Sequence, residues 1–161
     1  MSGLSHLDAA GRARMVDVTG KPATDRTAVA EGTLTCAAAT VERALAGDAP
    51  KGAVVSTAEL AGVMAAKRTA ELIPLCHPLP LSQVAVTVTP DRALPGFQIR
   101  AEVRTRGQTG VEMEALTAVG VAGLTLFDML KAIDRAMVIG AIRVTHKSGG
   151  RGGERREEAA P

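Results

Sequence analysis

The stretch 83-QVAVTVTPDRALPGFQIRAEVRT-105 decides the fold. Val84, Val86 and Val88 alternate with small polar residues, and Phe97, Ile99, Ala101 and Val103 alternate with Gln98, Arg100, Glu102 and Arg104. A period of two puts each set on one face of a strand, so both runs read as half-buried strands. Pro90, Asp91, Pro95 and Gly96 between them are all turn-compatible, and the two runs, 83–89 and 97–105, are predicted to form a hairpin.

Upstream, 27–36 alternates more weakly (Ala28, Ala30, Gly32, Leu34 against Val29, Glu31, Thr33) and suits another strand, followed by a short helix over 38–46 that Gly47 stops. Ser56-Thr57-Ala58-Glu59 has the spacing of a capping box and predicts a helix from Ser56 to about Leu72, closed by Pro74. Downstream, 111–135 reads as one long helix with Leu116, Val119, Leu124, Phe127, Leu130 and Ile133 apolar, and with Gly120 and Gly123 leaving room for close packing. A last strand over 137–145 carries a bulge at Gly140.

The order strand, helix, helix, strand, strand, helix, strand is that of an α+β, ferredoxin-like plan: a four-stranded antiparallel sheet with helices packed on one face. In so small a protein the other face is most simply covered by a second copy, which predicts an oligomer. Residues 1–161 are expected to form a single domain. Its irregular N-terminal arm (1–24) holds the apolar knot Met15, Val16, Val18, and its Gly-rich, charged tail (151–161) is expected to be disordered.

Composition narrows the function. A net charge of +2 argues for neither nucleic acid nor an anionic membrane, and with Phe97 and Phe127 the only aromatics there are no stacking platforms for single strands. Charges interrupt every apolar run short of the roughly 20 residues that cross a bilayer. Two cysteines far apart, Cys36 and Cys76, and no apolar leader stretch in 1–11 give no disulfide framework and point to the cytoplasm.

Several groupings could carry chemistry. Asp128 and Lys131, three residues apart, share a helix face as either a salt bridge or an acid/base pair; taken alone, the salt bridge is the commoner outcome. Thr117 and Thr125 make that face polar. Glu112 and Glu114 at the helix start either favour the dipole's positive end or accept N–H groups of a purine or pterin. In 73-IPLCHPLP-80 three prolines stiffen the chain around Cys76 and His77, either as a rigid ligand-presenting segment or as a stiff linker. Zinc is not expected, since Cys36, Cys76, His6, His77 and His146 lack ligand spacing. Lys51, Lys67, Arg68 and Lys147 with Ser148-Gly149-Gly150 could converge on phosphates, although each alone is an ordinary surface cation, and neither a P-loop nor a dinucleotide fingerprint is present.

Taken together, Met15-Val16-Asp17-Val18, Lys51-Gly52, Ala65-Ala66-Lys67-Arg68-Thr69, Ile73 to Leu79, Thr109 to Leu116, Asp128-Met129 with Lys131, and Lys147 to Gly150 closely resemble the molybdenum cofactor biosynthesis protein C family, the cyclic pyranopterin monophosphate synthases. The resemblance runs from about Leu4 to Gly150. It implies a lyase that converts 3′,8-cyclo-7,8-dihydroguanosine 5′-triphosphate to cyclic pyranopterin monophosphate with release of pyrophosphate. It further implies a hexamer of three dimers with sites at subunit interfaces, and no required cofactor, a divalent ion with the triphosphate being left open.

Carried over by position, the resemblance makes Asp128 the active-site residue, with Lys131 beside it and Lys51 a further proton-transfer candidate. Leu75, Cys76, His77, Met113 and Glu114 line the substrate site, with Glu112 a polar contact. Lys67, His77, Arg26 and Lys147 hold the triphosphate. A lysine acting as base needs neighbouring cations or burial, so Lys51, Lys67 and Lys131 are expected to cluster. Phe127 stands where a Tyr is common in the family. Two other classes compete: a ligand-binding regulatory module of the same fold, in which Asp128 and Lys131 would be dispensable, and, more weakly, a nucleic-acid-binding domain.

Overall fold

A computed structural model describes Leu7, 10–47, 49–150 and 152–156. Its elements are β1 (Thr24–Thr35), α1 (Ala38–Leu45), α2 (Val54–Ala66), α3 (Thr69–Leu72), β2 (Leu81–Asp91), β3 (Gly96–Gly107), α4 (Glu112–Leu130), β4 (Val138–Ser148) and β5 (Arg155–Arg156). The sheet order is β2-β3-β1-β4-β5, every neighbour antiparallel. Four long strands with two helical crossovers on one face are compatible with the ferredoxin-like plan; the fifth, a two-residue strand, was not foreseen.

The hairpin forms as its alternation demands. Val84↔Val103, Val86↔Ala101 and Val88↔Ile99 pair across β2 and β3, so one face of both strands is apolar at matching heights. The strands run further than expected, and only 92–95 turn: Asp91 Oδ1 accepts the N–H groups of Ala93 (2.9 Å) and Leu94 (3.0 Å), which fixes the reversal. β3 then pairs with β1 in unbroken register from Thr24↔Gly107 to Thr35↔Gly96.

The core lies between this face and α2 and α4. Ala28 and Ala30 of β1 are fully buried, as are Ala115, Ala118 and Ala122 of α4, and the larger Leu34, Phe97, Ile99, Leu126 and Leu130 fill the space around them. Small side chains where helix meets sheet let backbones approach, and the large ones around them carry most of the apolar burial, at roughly 1.5–3 kcal/mol for each fully buried side chain. α2 and α4 approach closely at Gly62, where a Cβ would stand 2.9 Å from the Ala118 carbonyl oxygen and 3.0 Å from Val86 Cγ1. Gly123 makes room for Ile139, but Gly120 faces open space rather than a close-packed neighbour.

Several local expectations are corrected. The helix predicted from Ser56 to Leu72 starts two residues earlier and is broken into α2 and α3. Its capping box does not form: no side chain caps Ala53, Thr57 Oγ1 donates to the Ala53 carbonyl (2.6 Å), and Glu59 Oε1 instead accepts the Val88 N–H of β2 (2.9 Å). The long helix ends at Leu130 rather than 135. In β4 the register slips opposite Gly32, and Ala141, not Gly140, takes the positive φ of 52°. α4 is also long and apolar enough to cross a bilayer, because no charge interrupts 115–127; half of it is buried against the sheet and α2, as befits a core helix.

The sheet face away from the helices carries Glu31, Arg100, Glu102, Arg104 and His146, with Glu102 bridging Arg100 (3.0 Å) and Arg104 (2.7 Å). It is a polar surface on which Glu102 is paired with both arginines. Exposed apolar groups are spread over α2, α3, α4 and β4: Leu60, Met64, Leu72, Leu124, Val138 and Ile142 are 61%, 50%, 58%, 61%, 59% and 41% exposed. Of the arm, 1–6 and 8–9 lie outside the described residues, as do 151 and 157–161 of the tail.

Candidate active site

α4 separates the foreseen site residues into two groups. At its C-terminal end Asp128 lies between two ammonium groups, with Lys131 Nζ 2.7 Å from Oδ1 and Lys51 Nζ 2.5 Å from Oδ2. Lys131 comes from the next turn of the helix, and Lys51 from the Lys51-Gly52 turn, which the Gly52 N–H closes on the Ala49 carbonyl (3.0 Å). Hydrogen bonds from Lys131 and then Lys51 hold the Asp128 carboxyl down at about 2. All three side chains are about half exposed. Two cations against one anion leave the cluster with a surplus positive charge that faces solvent.

At the N-terminal end of α4 a cleft of about 400 Å³ is lined by Leu75, Cys76, His77, Met113, Glu112 and Glu114, together with Val16, Val18, Lys21, Leu79, Thr109 and Gly110. Both first-turn glutamates sit where the free N–H groups of the helix favour negative charge. Glu114 is nevertheless buried, at 5% exposure. Burial pushes its carboxyl up, its own backbone N–H pulls it part of the way back, and the Glu112 charge adds to the rise. Burial, then the Glu114 charge, raises the neighbouring Cys76 thiol. The cleft thus sets a carboxyl and a thiol, both pushed up by burial, beside apolar side chains, a setting suited to a flat, partly polar ring.

His77 reaches the cleft, with its Nε2–H donating to the Val16 carbonyl (2.7 Å). That bond, with Gln108 Nε2 donating to Thr19 O (3.2 Å), ties the N-terminal arm over the cleft. Lys21, whose N–H closes a turn on Val18 O (2.9 Å), is the functional candidate that sequence reasoning missed. It stands in an irregular arm with no periodicity to mark it, although the adjacent 15–18 motif was a signal.

Lys21, Thr109, Gly110 and Glu112 also border a second hollow of about 430 Å³, which holds Arg26 and Lys147. Lys147 Nζ is hydrogen-bonded to Glu112 Oε1, and Arg26 Nε donates to the Gly107 carbonyl (3.3 Å). Together the two hollows form one groove, apolar and acidic at 75–77 and 112–114, cationic at Lys21, Arg26 and Lys147. Lys67 ends α2 in an adjoining depression that shares Leu79 with the cleft.

The expected lysine cluster is therefore only half formed. Lys51 and Lys131 meet on Asp128, whereas Lys67 lies at the opposite end of α2, 13 residues beyond Val54, or about 20 Å along the helix. Likewise Glu112 and Asp128 are 16 residues apart on α4, about 24 Å. One copy of the chain does not bring the Asp128 cluster to the cleft. Among the described residues no three His, Cys, Asp or Glu side chains gather as a metal-ligand set.

A family model described as the MoaC family matches residues 15–150, a span that takes in the arm, the cleft, the cationic hollow and the Asp128 cluster. The chain belongs to the MoaC family. It is similar to proteins named cyclic pyranopterin monophosphate synthase. That of Methylobacterium sp. strain 4-46 is 61% identical over 153 residues, 95% of this chain and 96% of the relative. That of Roseiflexus sp. strain RS-1 is 61% identical over 154 residues, 96% and 98% of the two chains. That of Nostoc sp. strain PCC 7120 is 58% identical over 151 residues, 94% and 90%.

Proposed function

We propose that the chain is a cyclic pyranopterin monophosphate synthase of molybdenum cofactor biosynthesis, converting 3′,8-cyclo-7,8-dihydroguanosine 5′-triphosphate to cyclic pyranopterin monophosphate and pyrophosphate. The observation that carries this is the similarity, across nine-tenths or more of both chains, to relatives of that name. The groove agrees with the chemistry. Opening a purine-derived ring and closing a cyclic phosphate take several proton transfers and a stabilised polyanionic leaving group. Glu114 and Cys76 suit the ring; Lys21, Arg26, His77, Lys147 and Lys67 suit the triphosphate; Glu112 orients Lys147.

Asp128, Lys131 and Lys51 carry the proton transfers. A carboxylate held near 2 is a weak base, and it becomes a stronger one when a substrate anion draws the lysines from it. Because this cluster lies about 24 Å from the cleft along α4, a working site needs the cleft of one copy and the cluster of another. Leu124, exposed one helical turn from the uncovered Gly120, supplies an apolar contact for such pairing. We therefore read the active form as a homo-oligomer, a trimer of dimers. It works in the cytoplasm without nucleic acid, membrane or resident cofactor, and the need for a divalent ion with the triphosphate is left to titration.

The test is pyrophosphate release and pterin formation from the cyclised guanosine triphosphate. Turnover by the parent, falling by about 10²–10⁴ in Asp128→Asn and in Lys51→Ala, is the expected result. Tight substrate binding without pyrophosphate release would replace the enzyme with a binding module.

A further inference from the structure

Where β1 and β3 leave the sheet beside the groove, a side chain takes over from the main-chain ladder. The pairing stops at Thr24↔Gly107. Two residues before Thr24 stands Pro22, which has no N–H with which to continue it. Residues 14–23 carry neither helix nor strand. Within them the Thr19 N–H bonds Asp17 Oδ1 (2.9 Å) and the Lys21 N–H bonds the Val18 carbonyl (2.9 Å), so 17–21 folds into a compact turn. Neither bond reaches the sheet. Gln108, the first residue past the Gly107 end of β3, does: its Nε2 donates to the Thr19 carbonyl (3.2 Å). Upstream of the turn, His77 Nε2 donates to the Val16 carbonyl (2.7 Å), so the turn is tied on both sides.

The turn carries Lys21, which borders both the ring cleft and the cationic hollow, and Gln108 lines the same hollow. Lys147 is held there by Glu112, and Arg26 by the Gly107 carbonyl. The Lys21 ammonium, by contrast, has no ion-pair partner among the described residues. It is a flexible side chain on an irregular segment, and ordering both on a ligand is costly unless the backbone beneath is already fixed. Gln108 meets that need without carrying charge into the hollow.

We propose that Gln108 is a positioning residue for Lys21. By holding the Thr19 carbonyl it fixes the 17–21 turn, and it thereby sets the ammonium at the junction of cleft and hollow, where the phosphate chain of a ligand passes from one to the other. The inference rests on the synthase reading for the identity of the substrate; the chemistry that Lys21 recognises is a polyphosphate, carried by the substrate or free.

A double-mutant cycle in the full chain tests it, with Gln108→Met, which keeps the length of the side chain and removes the donor, Lys21→Ala, and the two together. Gln108→Met is expected to raise KM for the cyclised triphosphate about fivefold, the effect of one neutral hydrogen bond, with kcat within about twofold of the parent. Lys21→Ala, which removes a charge, raises KM by about tenfold or more. The double variant matches Lys21→Ala within about twofold, because Gln108 acts through the lysine. Amide exchange at Thr19 and Lys21 quickens in Gln108→Met while the melting temperature stays nearly constant, the bond being exposed. Calorimetric binding of inorganic triphosphate weakens about fivefold in the same variant. Effects that multiply in the double variant would make Gln108 a direct phosphate contact and overturn the positioning role. An unchanged KM, unchanged exchange of the turn, or inorganic triphosphate bound equally by parent and Gln108→Met would overturn it as well. A parent that turns over no substrate, yet binds inorganic triphosphate with this dependence on Gln108, would sink the synthase reading and leave the positioning role standing.

Discussion

Glu114 and Asp128 show how far environment sets what a carboxylate can do. Both are acids of the same helix, yet burial pushes one up while two lysines hold the other at about 2. The sign of each effect gives a test. A carboxyl raised in the folded state favours folding below the unfolded value of 4.5, and the advantage is lost as pH rises through the folded value. Glu114→Gln keeps the shape without the charge, so its melting temperature should exceed the parent's at pH 8, with the gap closing toward pH 4. Calorimetry across that range checks it; a gap that widens on acidification would show that the buried carboxylate is stabilised by contacts other than those described. Asp128 behaves oppositely, its contribution being present above 3.8 and lost as pH falls through about 2. Because it is exposed, Asp128→Asn should leave the melting temperature at pH 7 nearly unchanged while removing activity. The sequence paired Asp128 with Lys131 by helical spacing alone. Lys51 came from the resemblance, since nothing local ties residue 51 to residue 128, and Lys21 was missed because a cation in an irregular arm has no periodicity to announce it.

Among the elements, those built from local periodicity were legible and those closed by distant partners were not. The β2–β3 hairpin and α4 follow from alternation and helical spacing. Helix starts proved otherwise. α1 has no cap of its own; Asp134, on the far side of the sheet sequence, accepts the Ala37 N–H (2.9 Å) and the Thr40 hydroxyl (3.1 Å) through Oδ2. Glu59, which the sequence assigned to a capping box, serves β2. Such long-range caps satisfy the free donors of an element without leaving a local signature. β5 escaped notice for a related reason: Gly-rich composition reads as disorder until Lys147 and His146 are seen to offer it an edge. Packing of α2 on α4 supplies a prediction at this scale. Gly62→Ala should gain up to about 1 kcal/mol of helix propensity yet lose about 1–3 kcal/mol from the methyl forced against Ala118 O and Val86, for a net destabilisation by urea unfolding. A stabilised variant would mean that the two helices can part without cost.

At the scale of the whole molecule, the sheet order was legible because two crossovers and one hairpin leave few topologies. The sequence reading put a second copy on the sheet's open face. That face carries the Glu102 ion pairs with Arg100 and Arg104, while exposed apolar groups such as Leu124 lie on the helices, a distribution that depends on how the helices sit and not on strand alternation alone. Leu124→Glu should therefore reduce the oligomer in sedimentation and lower activity per chain, whereas Gln98→Glu on the polar face should do neither.

The central claim is that the cleft of one copy works with the Asp128 cluster of another, and subunit complementation tests it most directly. Asp128→Asn and His77→Ala chains, each inactive alone, are unfolded together, refolded as mixed oligomers and assayed for pyrophosphate release. Random pairing makes half of the dimers mixed, each with one intact site of two, so activity should recover to about a quarter of the parent's. Mixed oligomers that form yet stay as inactive as either variant alone would show that each site draws on a single chain, and would contradict the split site.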